Sequence, residues 1–334
     1  MSQQDVRATI VRGPLADASL QYRNGIFVAD QVFPIVNVDS PRTKIWQYDK
    51  GTMFRNEAGY RAPGTRARRT GMTGSWVNIT TIEYALASEV TDEDRRFARL
   101  NMAPPLQPDQ DAVELCANAV DLKKEIAIKT AVLDGTWADG AQYGEDANGL
   151  WAATDSTNTA LADVNLAFRT IFGKIGNQTQ LRKCLLVDKY AIDKMIEAFA
   201  LQNSHIYSTG GRPTVEWLRN YFQIDELTVA GAYYDSGNEK KAGGQNSIAQ
   251  IWQKNASKGV AFAYVRPQNV GLKTVAPGIQ ARLMYSPEEG GGFRRTTQWR
   301  EAAEHKDVYE VAEETDVRQV CAEAGYLFKD IVAD

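Results

Sequence analysis

Residues 108–133 read PDQDAVELCANAVDLKKEIAIKTAVL and meet no Gly or internal Pro until Asp134-Gly135. Asp111 and Glu114 have the i, i+3 relation of a capping box, and Pro108 stands where a proline does not disturb a helix start. Val113, Cys116, Ala117 and Val120 recur at the helical period, and Leu122, Ile126 and Leu133 lie near a second seam. A helix apolar on more than one side is predicted over 109–133, with Lys123, Lys124 and Lys129 as its solvent face. About 24 residues give roughly 36 Å, long for a globular helix. It is either a long core helix or a spine on which separated parts of the chain hang. Its own residues do not choose between the two.

The chain of 334 residues has a formal net charge of -4 and 43% hydrophobic residues, enough for one large core or two domains. Its charge is unevenly placed. Residues 1–75 carry 11 Lys and Arg against 6 Asp and Glu, whereas residues 301–334 carry 3 against 10. A basic front and an acidic tail can complement each other, within one chain or between copies. Cys116, Cys184 and Cys321 are widely spaced, without a CxxC or zinc pattern, and read as free thiols in a reducing compartment. No signal peptide and no apolar run of membrane-spanning length is present.

Residues 1–31 are polar, with turn signals at Gly13-Pro14 and Asn24-Gly25, and read as an arm that orders against something else. Val32–Val38 (VFPIVNV) reads as a strand that Pro34 places at an edge or a bulge, and TKIWQYD reads as another strand. KGTMFRNEAGYRAPGTRARRTGMTGS at 50–75 is Gly-, Arg- and Thr-rich and contains no expected helix. Strand character resumes in WVNITTIEYALASEV, so a long β-hairpin projecting from the body is predicted. A loop of that length normally has a use. Its arginines can meet phosphates or a neighbouring chain's carboxylates, but no aromatic platform for nucleic acid is interleaved.

Beyond the long helix, helices are predicted over 159–175 and 189–201 and from 213. Strands are predicted at 183–187, 224–234, 257–265, 279–285, 293–299, 306–311 and 326–328. Residues 150–270 thus form a separate α+β or α/β unit inserted in a body built from both ends of the chain. Catalytic patterns are lacking. His205 and His305 are the only histidines; a Cys184–His205 pair oriented by Asp188 can be written down, but no spacing favours it. The chain has no HExxH, GxSxG, Walker A or GxGxxG motif.

The order of these pieces resembles the major capsid proteins of tailed bacteriophages, whose HK97-type fold is shared with encapsulins. The resemblance rests on VFPIVNV followed by GTMFRNEAGYRAPGTRARRTG, on the long helix, on WLRNYFQIDELTVAGAYYDSG with IWQKNASKGVAFAYV, and on the return through AEAGYLFKD. It implies an α+β fold with an N-terminal arm at 1–31, peripheral-domain strands at 32–48 and an extended β-hairpin loop at 49–80. Further peripheral domain at 81–149 would carry the spine helix 109–133. An axial domain would follow at 150–275, and 276–334 would close the peripheral domain.

Functionally, the resemblance implies a shell protein whose copies form pentamers and hexamers around phage double-stranded DNA, without sequence readout. A portal and separate scaffolding and decoration proteins are further implied partners. No membrane, cofactor, metal or catalytic residue is expected. The place of action is the virion capsid, assembled in the host cytoplasm. Arg55, Arg61, Arg66, Arg68 and Arg69 are the expected intersubunit loop contacts. Lys44 and Lys50 lie near the loop, but neither matches the lysine that some relatives crosslink, so no covalent crosslink is expected. Nor does the chain leave room ahead of the arm for the helical scaffolding segment of some relatives. The alternatives are an encapsulin-like compartment shell, which shares the fold, a hydrolase with an inserted domain, and a DNA-binding protein that uses the basic loop.

Overall fold

The computed structural model describes residues 27–100, 107–140, 144–154, 157–176, 181–201, 213–235, 248–253, 258–267, 275–285 and 292–332. The arm predicted at 1–31 therefore lies almost wholly outside the described residues. In chain order the elements are α1 (Ala29–Val32), β1 (Ile35–Val38), β2 (Arg42–Tyr48), α2 (Lys50–Phe54), β3 (Gly74–Thr80), β4 (Ile82–Thr91), α3 (Asp92–Leu100) and α4 (Pro108–Leu133). There follow β5 (Glu145–Asp146), α5 (Ala160–Ile175), β6 (Leu181–Asp188), α6 (Lys189–Leu201), α7 (Val215–Tyr221), β7 (Glu226–Ala230), β8 (Tyr233–Asp235) and β9 (Ile248–Gln250). The chain ends with β10 (Val260–Pro267), β11 (Gly278–Leu283), β12 (Arg294–Glu301), β13 (Lys306–Gln319) and β14 (Gly325–Lys329).

Two five-stranded sheets form the body. In the first, β13 is central: β12, β11 and β4 all pair with it antiparallel, and β1 adds to β11 in parallel. The second runs β5-β14-β10-β6-β7, with β5 parallel to β14 and β7 parallel to β6. The last strand is thus not part of the first sheet, as the reading of AEAGYLFKD had it. Gly325–Phe328 is buried residue after residue, and such a strand needs a sheet covered on both faces.

Helix α4 joins the sheets, and its sequence shows how. Its 26 residues span roughly 39 Å. Ala112, Cys116, Val120, Lys124, Ile128 and Val132 are buried at a strict four-residue spacing. Four residues advance about 400° at 3.6 residues per turn, so the buried stripe rotates by about 40° at each step and about 200° along the helix. The first half accordingly faces one side, where Ala112 and Val113 pack on Val90 and Tyr309 of the first sheet. The second half faces nearly the opposite side, where Ile128, Val132 and Leu133 meet Phe262, Tyr264 and Leu186 of the second. The second sheet is covered on its other face too. Successive β10 residues alternate, with Ala261, Ala263 and Val265 turned to α5, α6 and α7 and Val260, Phe262 and Tyr264 turned to α4.

Four local expectations need correction. Pro108 itself is the first helical residue, so Asp111 falls inside the first turn and no capping box forms; the first-turn carboxylates still suit the positive end of the helix dipole. Lys124 is not on the solvent face but on the rotating stripe, where Asp121 (3.1 Å) and Asp30 (3.6 Å) neutralise it. VFPIVNV is not one strand: Pro34 lacks an N–H for the ladder, α1 precedes it and β1 begins after it. Residues 50–54 are helical because the Asp49 carboxylate caps them, accepting from Gly51 N–H at 3.0 Å.

Candidate functional site

The projecting hairpin begins as a ladder between β2 and β3. Trp46 and Trp76 are paired in register, edge to face at 4.9 Å. Its neck is tied twice to Asp49, whose N–H donates to the Thr73 carbonyl at 2.9 Å and whose carboxylate accepts from Thr73 Oγ1 at 3.1 Å. The base is fixed to the C-terminal segment by Gln47 Nε2 on the Val320 carbonyl (3.0 Å) and by Lys50 with Glu323 (2.8 Å). Past the neck, residues 55–73 contain neither helix nor strand. Arg55, Arg61, Arg66, Arg68 and Arg69 are all exposed there, with Tyr60 (93% exposed) and Met72 (60%). Among the described residues none of the five arginines forms an ion pair.

Among the described residues the acidic tail does not pair with these arginines. Glu313 is buried against Arg282 (3.2 Å) and Arg294 (2.9 Å), and Arg294 also reaches Asp121 on α4 (2.6 Å). Arg300 clamps Asp92 at 2.6 Å, while Lys306 gathers Glu89 (3.0 Å), Glu301 (3.1 Å) and Glu304. Lys50 with Glu323 is the described link from the basic front to the tail.

A second cluster, which the sequence reading missed, lies under α1. Glu125 on α4 is fully buried. Its carboxylate accepts from the backbone N–H groups of Val28 (3.1 Å) and Ala29 (2.8 Å) and from the indole of Trp252 (2.6 Å). It thereby joins the chain entering the fold, the spine and the β9–β10 connection. Burial pushes the Glu125 pKa above its ordinary value despite these hydrogen bonds. One signal was available: Leu122, Ile128 and Val132 stand three before and three and seven after it, which puts Glu125 on an apolar face.

The candidate nucleophile is placed as a core residue. Cys184 is inaccessible, and burial, with the nearby Glu226 carboxylate, pushes its thiol up to about 12. Asp188 accepts from Val260 N–H (2.8 Å) and Ala191 N–H (3.3 Å), so it caps α6 and steadies β10. His205 lies outside the described residues. His305 sits at the β12–β13 turn with φ +51°. Among the described residues no three His, Cys, Asp or Glu side chains are grouped to hold a metal ion, and no helix is long and apolar enough to cross a membrane.

This geometry can be set beside known proteins. No family model matches the sequence. A crystal structure of a phage-related protein from Bordetella bronchiseptica superposes with a TM-score of 0.66 at 18% identity, covering 94% of each chain. The capsid of Myoviridae phage XM1 superposes with a TM-score of 0.56 at 13% identity, covering 98% of each chain. Two sheets strung on one long helix, with a projecting hairpin and nearly end-to-end agreement with a capsid subunit, define the HK97-type capsid fold. In sequence, the chain is similar to the major capsid protein of Burkholderia phage BcepMu, 24% identical over 293 residues that cover 86% of this chain and 84% of that protein.

Proposed function

We propose that the chain is a phage major capsid protein that self-assembles through pentamers and hexamers into a shell around double-stranded DNA. The observation that carries this reading is the near-complete coverage of a capsid subunit by a fold whose hairpin continues past its neck, over residues 55–73, without helix or strand. The first sheet with the first half of α4 is the peripheral domain, and the second sheet with α5, α6 and α7 is the axial domain. Arg55, Arg61, Arg66, Arg68 and Arg69 are contacts to a neighbouring copy. The loop offers no stacking platform for bases, so DNA is enclosed rather than read. Assembly in the host cytoplasm, a portal, and scaffolding or decoration proteins belong to the same reading.

The phage origin of the sequence relative favours a viral shell over an encapsulin compartment. The inaccessible Cys184 disfavours a hydrolase. Imaging tests the proposal: purified protein, concentrated at moderate salt, should give closed particles in electron micrographs. A monomer that persists across protein and salt concentrations would overturn it. Denaturing gels of boiled particles should show only monomer, since no crosslinking lysine was identified.

A further inference from the structure

The two sheets share little apolar contact. Among the described residues, Val317 is the one apolar side chain of the first sheet's strands that packs against the second sheet's cluster of Phe262, Tyr264 and Leu186. Ile279, Ala281 and Leu283 belong to one separate cluster, and Val90 and Tyr309 to another. What crosses the junction at the middle of α4 is charge. Asp30 of α1 meets Arg282 of β11 at 2.7 Å, Arg282 meets Glu313 of β13 at 3.2 Å, and Glu313 meets Arg294 of β12 at 2.9 Å. Arg294 meets Asp121 of α4 at 2.6 Å, Asp121 meets Lys124 at 3.1 Å, and Lys124 returns to Asp30 at 3.6 Å. Acids and bases thus alternate around a closed, neutral ring, each member paired on both sides.

At α1 the ring meets the second sheet. This helix has four residues, too few to hold itself. The groups that hold it come from both sheets. Gln280 of β11 donates to the carbonyls of Ala29 (3.1 Å) and Phe33 (2.9 Å). Tyr264 and Arg266 of β10 donate to the Gln31 carbonyl at 3.3 Å and 2.8 Å. Val28, Ala29, Val32 and Phe33 are buried in the second sheet's cluster, yet just beyond Pro34 the chain enters β1, paired on the first sheet. Residues 28–38 are therefore a strap across the junction.

We propose that α1 is a lock on the angle between the two sheets, with Asp30 as its bolt. With α1 seated, the ring is closed and the angle is fixed. With α1 lifted, three cations share Glu313 and Asp121, and the ring is one anion short. An unbalanced buried charge is costly, so the remaining pairs loosen together. The sheets can then turn about the middle of α4, where little apolar packing opposes them. A pull on the chain ahead of Phe27 acts directly on that angle. The lock is a property of one chain and goes beyond any role in assembly.

Asp30→Asn tests the lock at the ring's half-exposed member, where folding is least at risk. The unassembled subunit carries spin labels at two exposed positions, residue 87 on β4 and residue 197 on α6 (Ala87→Cys with Glu197→Cys), in a Cys321→Ser background. Cys116 and Cys184 are buried and stay unlabelled. The parent should give one narrow distance, and Asp30→Asn a broader distribution or a second distance. Amide exchange over residues 27–33 should rise roughly tenfold or more, while exchange over β10 and β13 stays at the parent's rate. Arg295→Gln removes a first-sheet arginine outside the ring and should change neither readout. Raising salt should move the parent in the direction of Asp30→Asn, a check that needs no variant. An unchanged distance distribution in Asp30→Asn overturns the lock, even if the strap exchanges faster. Exchange that rises equally in β10 and β13 also overturns it, as a general loss of stability. All readouts are taken on the single subunit, so failure to form particles bears on the capsid reading and not on the lock.

Discussion

Replacing Glu125 with Ala should destabilise the subunit more than any surface change. The substitution strands three buried donors, the N–H groups of Val28 and Ala29 and the Trp252 indole. Each unpaired buried donor costs about 1–3 kcal/mol. Removing the carboxylate returns part of its own desolvation penalty, so the net loss is about 3–5 kcal/mol, the range for breaking a buried charge network. The assay is urea unfolding of the dissociated subunit followed by tryptophan fluorescence, to which Trp252 contributes directly. Glu125→Gln separates charge from shape. Burial raises the folded pKa of Glu125, whereas the unfolded chain titrates near 4.5. The native state therefore holds more protons between these two values, and the parent's stability relative to Glu125→Gln falls as pH rises through the folded pKa. A Glu125→Ala subunit within about 1 kcal/mol of the parent would refute the argument, as would a parent-to-Gln difference that stays flat or grows with pH.

Three further outcomes are expected. Gly325→Ala would place a Cβ 2.6 Å from Trp137 and 2.7 Å from Phe262, so it should cost at least 1–3 kcal/mol and lower the melting temperature; an unchanged melt would contradict the close packing there. Asp49→Ala removes the cap on Gly51 N–H and the tie to Thr73, a loss of about 1 kcal/mol at the neck, and should speed limited proteolysis within residues 55–73 of the unassembled subunit; an unchanged cleavage rate would show the neck is held elsewhere. Cys184, buried and with its thiol pushed up to about 12, should resist iodoacetamide at pH 8 until urea is added, as peptide mass mapping would show; rapid native labelling would remove it from the core.

What the sequence made legible was local. The long helix ends at Leu133 as read, because Gly and Pro are absent until Gly135. The helix beginning at Lys189 and the strand at 181–188 also follow from short-range pattern. The placing of β14 was not legible, since a strand's partner is a long-range choice: Phe328 pairs with Ala261. Lys124, read as part of the solvent face, misled for a related reason, and Glu125 was not singled out. A lysine on a helix reads as solvated, yet the rotating four-residue stripe brings Lys124 into the interior toward Asp121, while Glu125 beside it turns under α1. At the loop, composition alone marked the arginines, but their partners depend on surfaces outside the local sequence.

The charges of this chain divide into two populations, and the division separates folding from assembly. Arg282, Arg294, Arg295 and Arg300 on the first sheet are each held by carboxylates of their own chain, so the acidic tail is largely an internal device that stiffens β13. Among the described residues the loop arginines have no such partner. Holding residues 55–73 in one conformation costs about 1–2 kcal/mol per residue in backbone entropy, and the loop buries no core to offset that. Exposed pairs return at most about 1 kcal/mol each. Electrostatics alone therefore cannot order the loop; on the proposed capsid reading, burial of Tyr60, Met72 and Trp76 would add to backbone contacts made with a second copy. On that reading loop order and capsomer formation would be one event. Hydrogen exchange across 55–73 should be fast in the free subunit and slow only in assembled particles; protection already present in a monomer would place the loop's partner within its own chain.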